Sequence, residues 1–356
     1  MNIRRLMTGI LIVVTLLPAA GCGSGVDYEP LELVPEKAGL IAGIRVSDAV
    51  RDWQIYCELK GNEIQEEQFD DMKAEFLENT GLDMNSISEA VLFTDVSEEQ
   101  SGEGMGGYSG AVLTGNFADR ELIERIAENT ETTFTEKVYG DYTIHLGGKE
   151  KGGIVKLNNT MIIMGTEDAL RDCIDVAEGK QNAVSGVIMD TYESLGESML
   201  RLAMTVPEGE RHSLPEQSEQ AIMGPVGLEP FEKMETIGLA ADLGTQALTM
   251  KMHADFTDTE SAAGAAGSLE TMLNFFALMS QEEEMTEMLD RIKITVSASR
   301  MHLSYDIPLA ELAEMLESVG DADNFSDFPS MLPGGGISGE FEFPGMPENP
   351  WDDETE

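Results

Sequence analysis

The stretch TFTEKVYGDYTIHLG, residues 133–147, decides the fold. On either side of Gly140-Asp141 lie runs rich in β-branched and aromatic residues, and a Gly-Asp pair between two such runs reads as a tight hairpin turn. GGIVKLNNTMIIMG, residues 152–165, repeats the arrangement with Asn158-Asn159 at its turn. Strands joined by so few residues pair antiparallel, because a parallel return needs a crossover of roughly a dozen residues or more. Upstream, SEAVLFTDV (88–96) and SGAVLTGNF (109–117) are two more strands, separated by SEEQSGEGMGG, whose Gly and acid content excludes regular structure. LIAGIRV (40–46) is the first strand.

Helices alternate with these strands. Ser47 offers an N-cap for a helix over 47–60 that places Val50, Trp53 and Cys57 on one face. A second, over 66–79, aligns Phe69, Met72 and Phe76 and stops at Gly81. A third, over 118–129, buries Leu122, Ile123, Ile126 and Ala127. Thr166 opens a fourth, with Leu170, Cys173, Ile174 and Ala177 as its apolar stripe and Gly179 as its stop. The order then returns with little residue identity. TIGLAADLG (236–244) and ALTMKMHADF (247–256) form a strand pair, Thr257-Asp258-Thr259-Glu260 is a capping box for a long helix toward Met279, and a short helix follows around 284–291. KITVSAS (293–299) and MHLSYDI (301–307) make a hairpin turning near Ser299-Arg300, and Pro308 starts a last helix through Glu317. The expected class is α+β: antiparallel sheets with helices on one face, in two related strand-strand-helix modules.

The chain opens MNIRRLMTGILIVVTLLPAAGCGSG. Arg4 and Arg5, an apolar run over 6–17, and the small residues Ala19, Ala20 and Gly21 form the three-part layout of a secretory signal. The run is shorter than the roughly 20 residues that a membrane-crossing helix needs. Ala19-Ala20-Gly21-Cys22 resembles the lipobox of bacterial lipoproteins, with Ala19 where that motif more often has Leu. The resemblance implies that Cys22 becomes the acylated N-terminus. Several acyl chains hold a protein stably where one gives marginal binding. GLDMNSISEAVLF, YGDYTIHL and TMIIMGTEDALRDCIDVAEGK are similar to segments of an uncharacterised class of bacterial surface lipoproteins with duplicated α+β modules. That likeness implies fold and address, and brings no functional residue.

The expected organisation is a signal peptide at 1–21, lipidated Cys22 and a flexible leash at 22–37, a first α+β module at 38–183, a helix and connection at 184–235, a second module at 236–319, and an acidic disordered tail at 320–356. Within the segment 184–206 the sequence reads as helical, with Leu195, Met199, Leu202 and Met204 among its apolar positions.

Removing residues 1–21 leaves 20 basic against 67 acidic side chains, a formal charge of −47. Such a surface repels phosphate backbones and anionic lipid heads, which excludes nucleic acid as a partner. Beyond Cys22 there are only Cys57 and Cys173, so no disulfide-dense scaffold exists. Both fall on apolar helix faces and read as buried thiols, with a mutual disulfide as the alternative that export allows.

No reaction is legible in the motifs. Met250-Lys251-Met252-His253 carries copper-type donors, but strand alternation sends the two Met and the His to opposite faces, leaving the Met as core. His145, His212, His253 and His302 occur singly and make no zinc spacing. Ser109 and Ser338 lack the full Gly-x-Ser-x-Gly of a nucleophile elbow. Asp321, Asp323 and Asp327 lack the mid-loop Gly and bidentate acid of an EF-hand. No cofactor or metal is expected. The expectation is a non-catalytic binding or scaffolding protein, held by its lipid at the outer face of the cell membrane, or at the outer membrane where the host has one. Its partner would be a protein or a lipophilic ligand. Met272, Met279, Met285, Met288 and Met315, on or beside helices, motivate the alternative of a lipophilic carrier. A second alternative is an envelope hydrolase with a dispersed site.

Overall fold

The two hairpins form where the sequence places them. In the computed structural model, which describes residues 28–52, 63–96, 107–119, 121–130, 132–147, 152–211, 229–279 and 283–312, β4 (Thr135–Tyr139) and β5 (Tyr142–Leu146) pair around Gly140. β6 (Gly152–Lys156) and β7 (Met161–Thr166) close through Leu157, whose N–H donates to the Met161 carbonyl at 3.1 Å. β1 (Leu40–Arg45), β2 (Ile87–Thr94) and β3 (Ser109–Gly115) pair antiparallel in series, and β3 pairs with β7. In the second half β9 (Met234–Leu243), β10 (Ala247–Phe256), β12 (Arg300–Pro308) and β11 (Lys293–Ser297) do the same.

The class is α+β with antiparallel pairing throughout, but the two modules share one sheet. Its order is β11-β12-β10-β9-β8-β1-β2-β3-β7-β6-β5-β4, and β8 (Leu200–Thr205) joins the halves by pairing with both β1 and β9. The sequence reading of 184–206 as helical is corrected here: the helix is short, Val187–Ser194, and Gly196 at φ +75° breaks the chain ahead of β8. Both halves repeat one connectivity. A strand pair is followed by helix, then by a hairpin whose second strand pairs with the second strand of that pair, the first half inserting an extra hairpin, β4-β5, before it.

The helices are α1 (Glu63–Thr80), α2 (Leu122–Asn129), α3 (Glu167–Ala177), α4 (Val187–Ser194), α5 (Thr259–Met279) and α6 (Glu283–Asp290), and in the first half they pack on both faces of the sheet, not on one. One face carries Ile41, Val91, Val112, Ile163 and Val155 under α3 and α4, with Leu170, Cys173 and Ile174 wholly buried. The opposite face carries Ile44, Ala90, Leu113, Ile162 and Ile154 under α2, with Leu122 and Ile126 inserted. Continuous apolar runs such as Met161-Ile162-Ile163 are what burial on two faces demands. α2 begins at Leu122 and not at 118, because the Asp119 carboxylate accepts the Glu121 N–H at 2.9 Å and holds a turn there.

In the second half α5 covers only one face, where Ala262, Ala265 and Ala266 meet Ala254, Phe256 and Met301. Small residues on α5 let it approach the sheet closely. Met252 packs against this core, whereas Met250 is 42% exposed, so only one of the two Met expected as core is in it.

The leash reading to residue 37 is also corrected. Pro30–Leu33 form a 3-10 turn, and Leu33 and Val34 are fully buried in the first core. Their apolar side chains find a place under β2 and β3 without any helical or strand period to announce it. Trp53, Cys57, Met315 and the tail from 320 lie outside the described residues, as does Cys22. Cys173 is a free, buried thiol whose ionisation is pushed upward, first by burial.

Candidate functional site

Strand alternation sends Lys251, His253 and Asp255 of β10 to the face that α5 does not cover. Register places His302 of β12 directly opposite His253, Arg300 opposite Asp255, and Ser304 opposite Lys251. On β11, Thr295 faces His302 and is exposed, as are Lys293 and Ser297. On the other side of β10, Gly238 and Thr236 of β9 face His253 and Asp255. The result is a polar strand face with two imidazoles at its centre.

α4 closes the inner edge of this face through hydrogen bonds. The Arg300 guanidinium donates from Nε to Asp255 Oδ1 at 2.6 Å and from Nη2 to Oδ2 at 2.9 Å. Thr191 Oγ1 on α4 donates to Asp255 Oδ2 at 2.6 Å, and Thr236 Oγ1 lies 2.6 Å from Thr191 Oγ1. Burial alone would raise the Asp255 carboxyl, but Arg300 and Thr191 outweigh it and hold it below the usual carboxylate range. Thr191 and Thr236 are fully buried, and this network gives each of them a partner.

Ser194, one turn further along α4, lies 2.8 Å from His253 Nδ1 and donates to the Thr191 carbonyl at 2.6 Å. A serine has one hydroxyl hydrogen. With that hydrogen on the carbonyl, Nδ1–H of His253 donates to Ser194 Oγ, and the lone pair of the neutral ring sits on Nε2. Burial first, then His302 and Arg300, lowers His253 to about 4, so the ring is neutral at pH 7. His302 is shifted the same way by burial and Arg300. The two rings meet edge to face with centroids 4.4 Å apart.

The sequence reading treated the four histidines as single, and for this pair that is corrected. His253 and His302 are far apart in the chain and meet only because β12 pairs with β10. Alternation on the two strands put each on a definite face, but nothing in the spacing named the neighbour. His145 on β5 instead packs edge to face against Phe134 at 6.4 Å. Ser109 lies in β3 and takes part in its pairing with β2. His212, Ser338, Asp321, Asp323 and Asp327 are outside the described residues. Among the described residues no group of three His, Cys, Asp or Glu is arranged to hold a metal, and no helix is long and apolar enough to cross a membrane.

A second polar feature is a shallow cleft of ≈ 550 Å³ lined by Glu36, Lys37, Asp172, Gln181 and Asn182. Its groups bind one another: Lys37 pairs with Asp172 at 2.8 Å and sits 3.6 Å above the Tyr108 ring, and Gln181 donates to Asp172 at 3.1 Å.

No protein-family model matches the chain, and no curated protein matches it. Among solved structures, crystal form III of TP0453 is similar at 9% identity and a TM-score of 0.43, over 83% of this chain and 100% of that one. Crystal form I of TP0453 is similar at 10% identity and a TM-score of 0.44, over 83% and 98%.

Proposed function

We propose that this chain is an exported protein, anchored by lipid on Cys22, that binds a partner at the cell envelope without transforming it. The observation that carries the binding reading is the polar outer part of the β10, β12 and β11 face beyond α4, where Lys293, Thr295 and Ser297 of β11 are exposed while His253 and Asp255 beside α4 are buried. A sheet face held rigid by Asp255–Arg300 and by α4 is suited to docking. Its groups are matched to one another and not poised on a substrate: Asp255 is taken by Arg300, and Ser194 gives its hydrogen to Thr191.

The address rests on the first 22 residues. Cys22→Ala should move the protein from the membrane fraction to the soluble fraction after cell lysis. Equal retention by the two forms would sink the anchor. The binding reading is tested by crosslinking from Thr295 and Lys293 in intact cells: a discrete adduct supports it, and crosslinks only from positions on the α5 face count against it.

One observation favours a second reading, a carrier of a lipophilic small molecule. Leu239 and Met250, on the α5 side of the sheet, are 37% and 42% exposed, so apolar surface remains open there. Native mass spectrometry of protein purified without detergent separates the readings, since a stoichiometric copurifying molecule places the carrier first. For the hydrolase alternative, convergence of His253, His302 and Asp255 is the supporting arrangement, and the donor pattern at Ser194 opposes it. A general base must accept the nucleophile's proton.

A further inference from the structure

We propose that buried His253 and half-buried His302 form a binding site for one borderline divalent cation, Zn²⁺ or Cu²⁺, where β10 and β12 pass out from under α4. The inference rests on the cross-strand pairing of the two rings and does not depend on the lipid anchor. Imidazole nitrogen suits both ions, and a ligating histidine ordinarily donates its second N–H to a fixed acceptor that sets the tautomer. Ser194 is that acceptor for His253, at 2.8 Å from Nδ1, and its own hydrogen is spent on the Thr191 carbonyl. The Nε2 lone pair of His253 is therefore the one left for a ligand.

Distance agrees with a shared ion. With metal–nitrogen bonds of about 2 Å, two imidazole rings on one tetrahedral ion have centroids about 5 Å apart. The rings here stand at 4.4 Å, and turning the half-buried His302 ring about its side-chain bonds provides the rest. The nearby cations are balanced: Arg300 is held bidentate by Asp255, and Lys251 lies 3.9 Å from Asp242. Exposed Thr295 of β11 borders the pair and leaves the outer side open. Two positions on the ion would belong to the protein, and the others to water or to a ligand atom of a docking partner.

The test is calorimetric titration of the full-length chain in detergent with Zn²⁺ and, separately, Cu²⁺, in a buffer that does not chelate. One ion per chain is expected, with affinity falling at least about tenfold in His302→Ala and by a smaller factor in Ser194→Ala. Because 67 acidic side chains also attract cations, the titration is repeated in a large excess of Ca²⁺, which takes oxygen ligands. Binding that survives Ca²⁺ and is lost in His302→Ala supports the site. Displacement by Ca²⁺, equal affinity in His302→Ala, or no uptake by the native chain overturns it. Proton NMR of the unmodified protein gives a readout free of folding defects: Zn²⁺ should shift the ring signals of His253 and His302 and leave His145 in place. Equal shifts at all three would also overturn it.

Discussion

The two halves of the sheet solve the same packing problem differently. In the first half each central strand is sandwiched, with α3 and α4 on one side and α2 on the other. In the second half α5 covers one side, and the other carries Lys251, His253, Asp255, Arg300 and His302. The sequences differ to match. Ile162 and Ile163 are adjacent and both fully buried, whereas Met252, His253 and Ala254 alternate between an apolar and a polar side. The side that α5 leaves is not left loose: Thr191 and Ser194 tie α4 to Asp255 and His253, and Asp255 in turn is paired with Arg300 of β12.

The largest effect expected from breaking this contrast is at Asp255. Asp255→Ala leaves Arg300 half-buried without its counter-charge and should cost about 3–5 kcal/mol, measured as the shift in a urea unfolding midpoint. A loss under about 1 kcal/mol would mean that α4 is held by packing alone. In the sandwiched half, Ile163→Ala removes a wholly buried side chain under α3 and should cost about 3 kcal/mol. The two losses being similar is the content of the comparison: one ion pair does on the open side what a core residue does on the closed one.

Acid should weaken the open half through His253. Its ordinary value of 6.5 falls to about 4 in the folded chain, so between those values the unfolded chain binds a proton that the folded chain refuses. Stability from this group is present above pH 6.5 and is lost as pH falls toward 4, amounting to up to about 3 kcal/mol. Unfolding midpoints across that window should fall for the native chain and stay flatter in His253→Gln. Parallel curves for the two proteins would remove His253 as the cause. The smallest effect is expected at Thr295→Ala on exposed β11, within about 0.5 kcal/mol. A cost well above that would show that this face is covered in the folded protein, and the contrast between halves would fail.

Local pattern carried much of the architecture. The turns at Gly140 and Asn158, the stops at Gly81 and Gly179, and the apolar stripes of α2 and α3 were each legible in a window of a few residues. The failures have local causes too. β8 reads as a continuation of α4 because Leu200, Leu202 and Met204 suit either period, and only Gly196 marks the break. Leu33 and Val34 enter the core from an irregular segment, which carries no periodic signal.

What the sequence by itself determined is the set of hairpins, helices and strand faces, since turn chemistry and side-chain alternation act between near neighbours. Only the tertiary structure decided that β8 would join β1 to β9 in one sheet, that Arg300 would meet Asp255, and that His302 would lie against His253. The reason is that a strand's own residues fix which side chains share a face, while the edge on which it pairs depends on burial gained against distant segments.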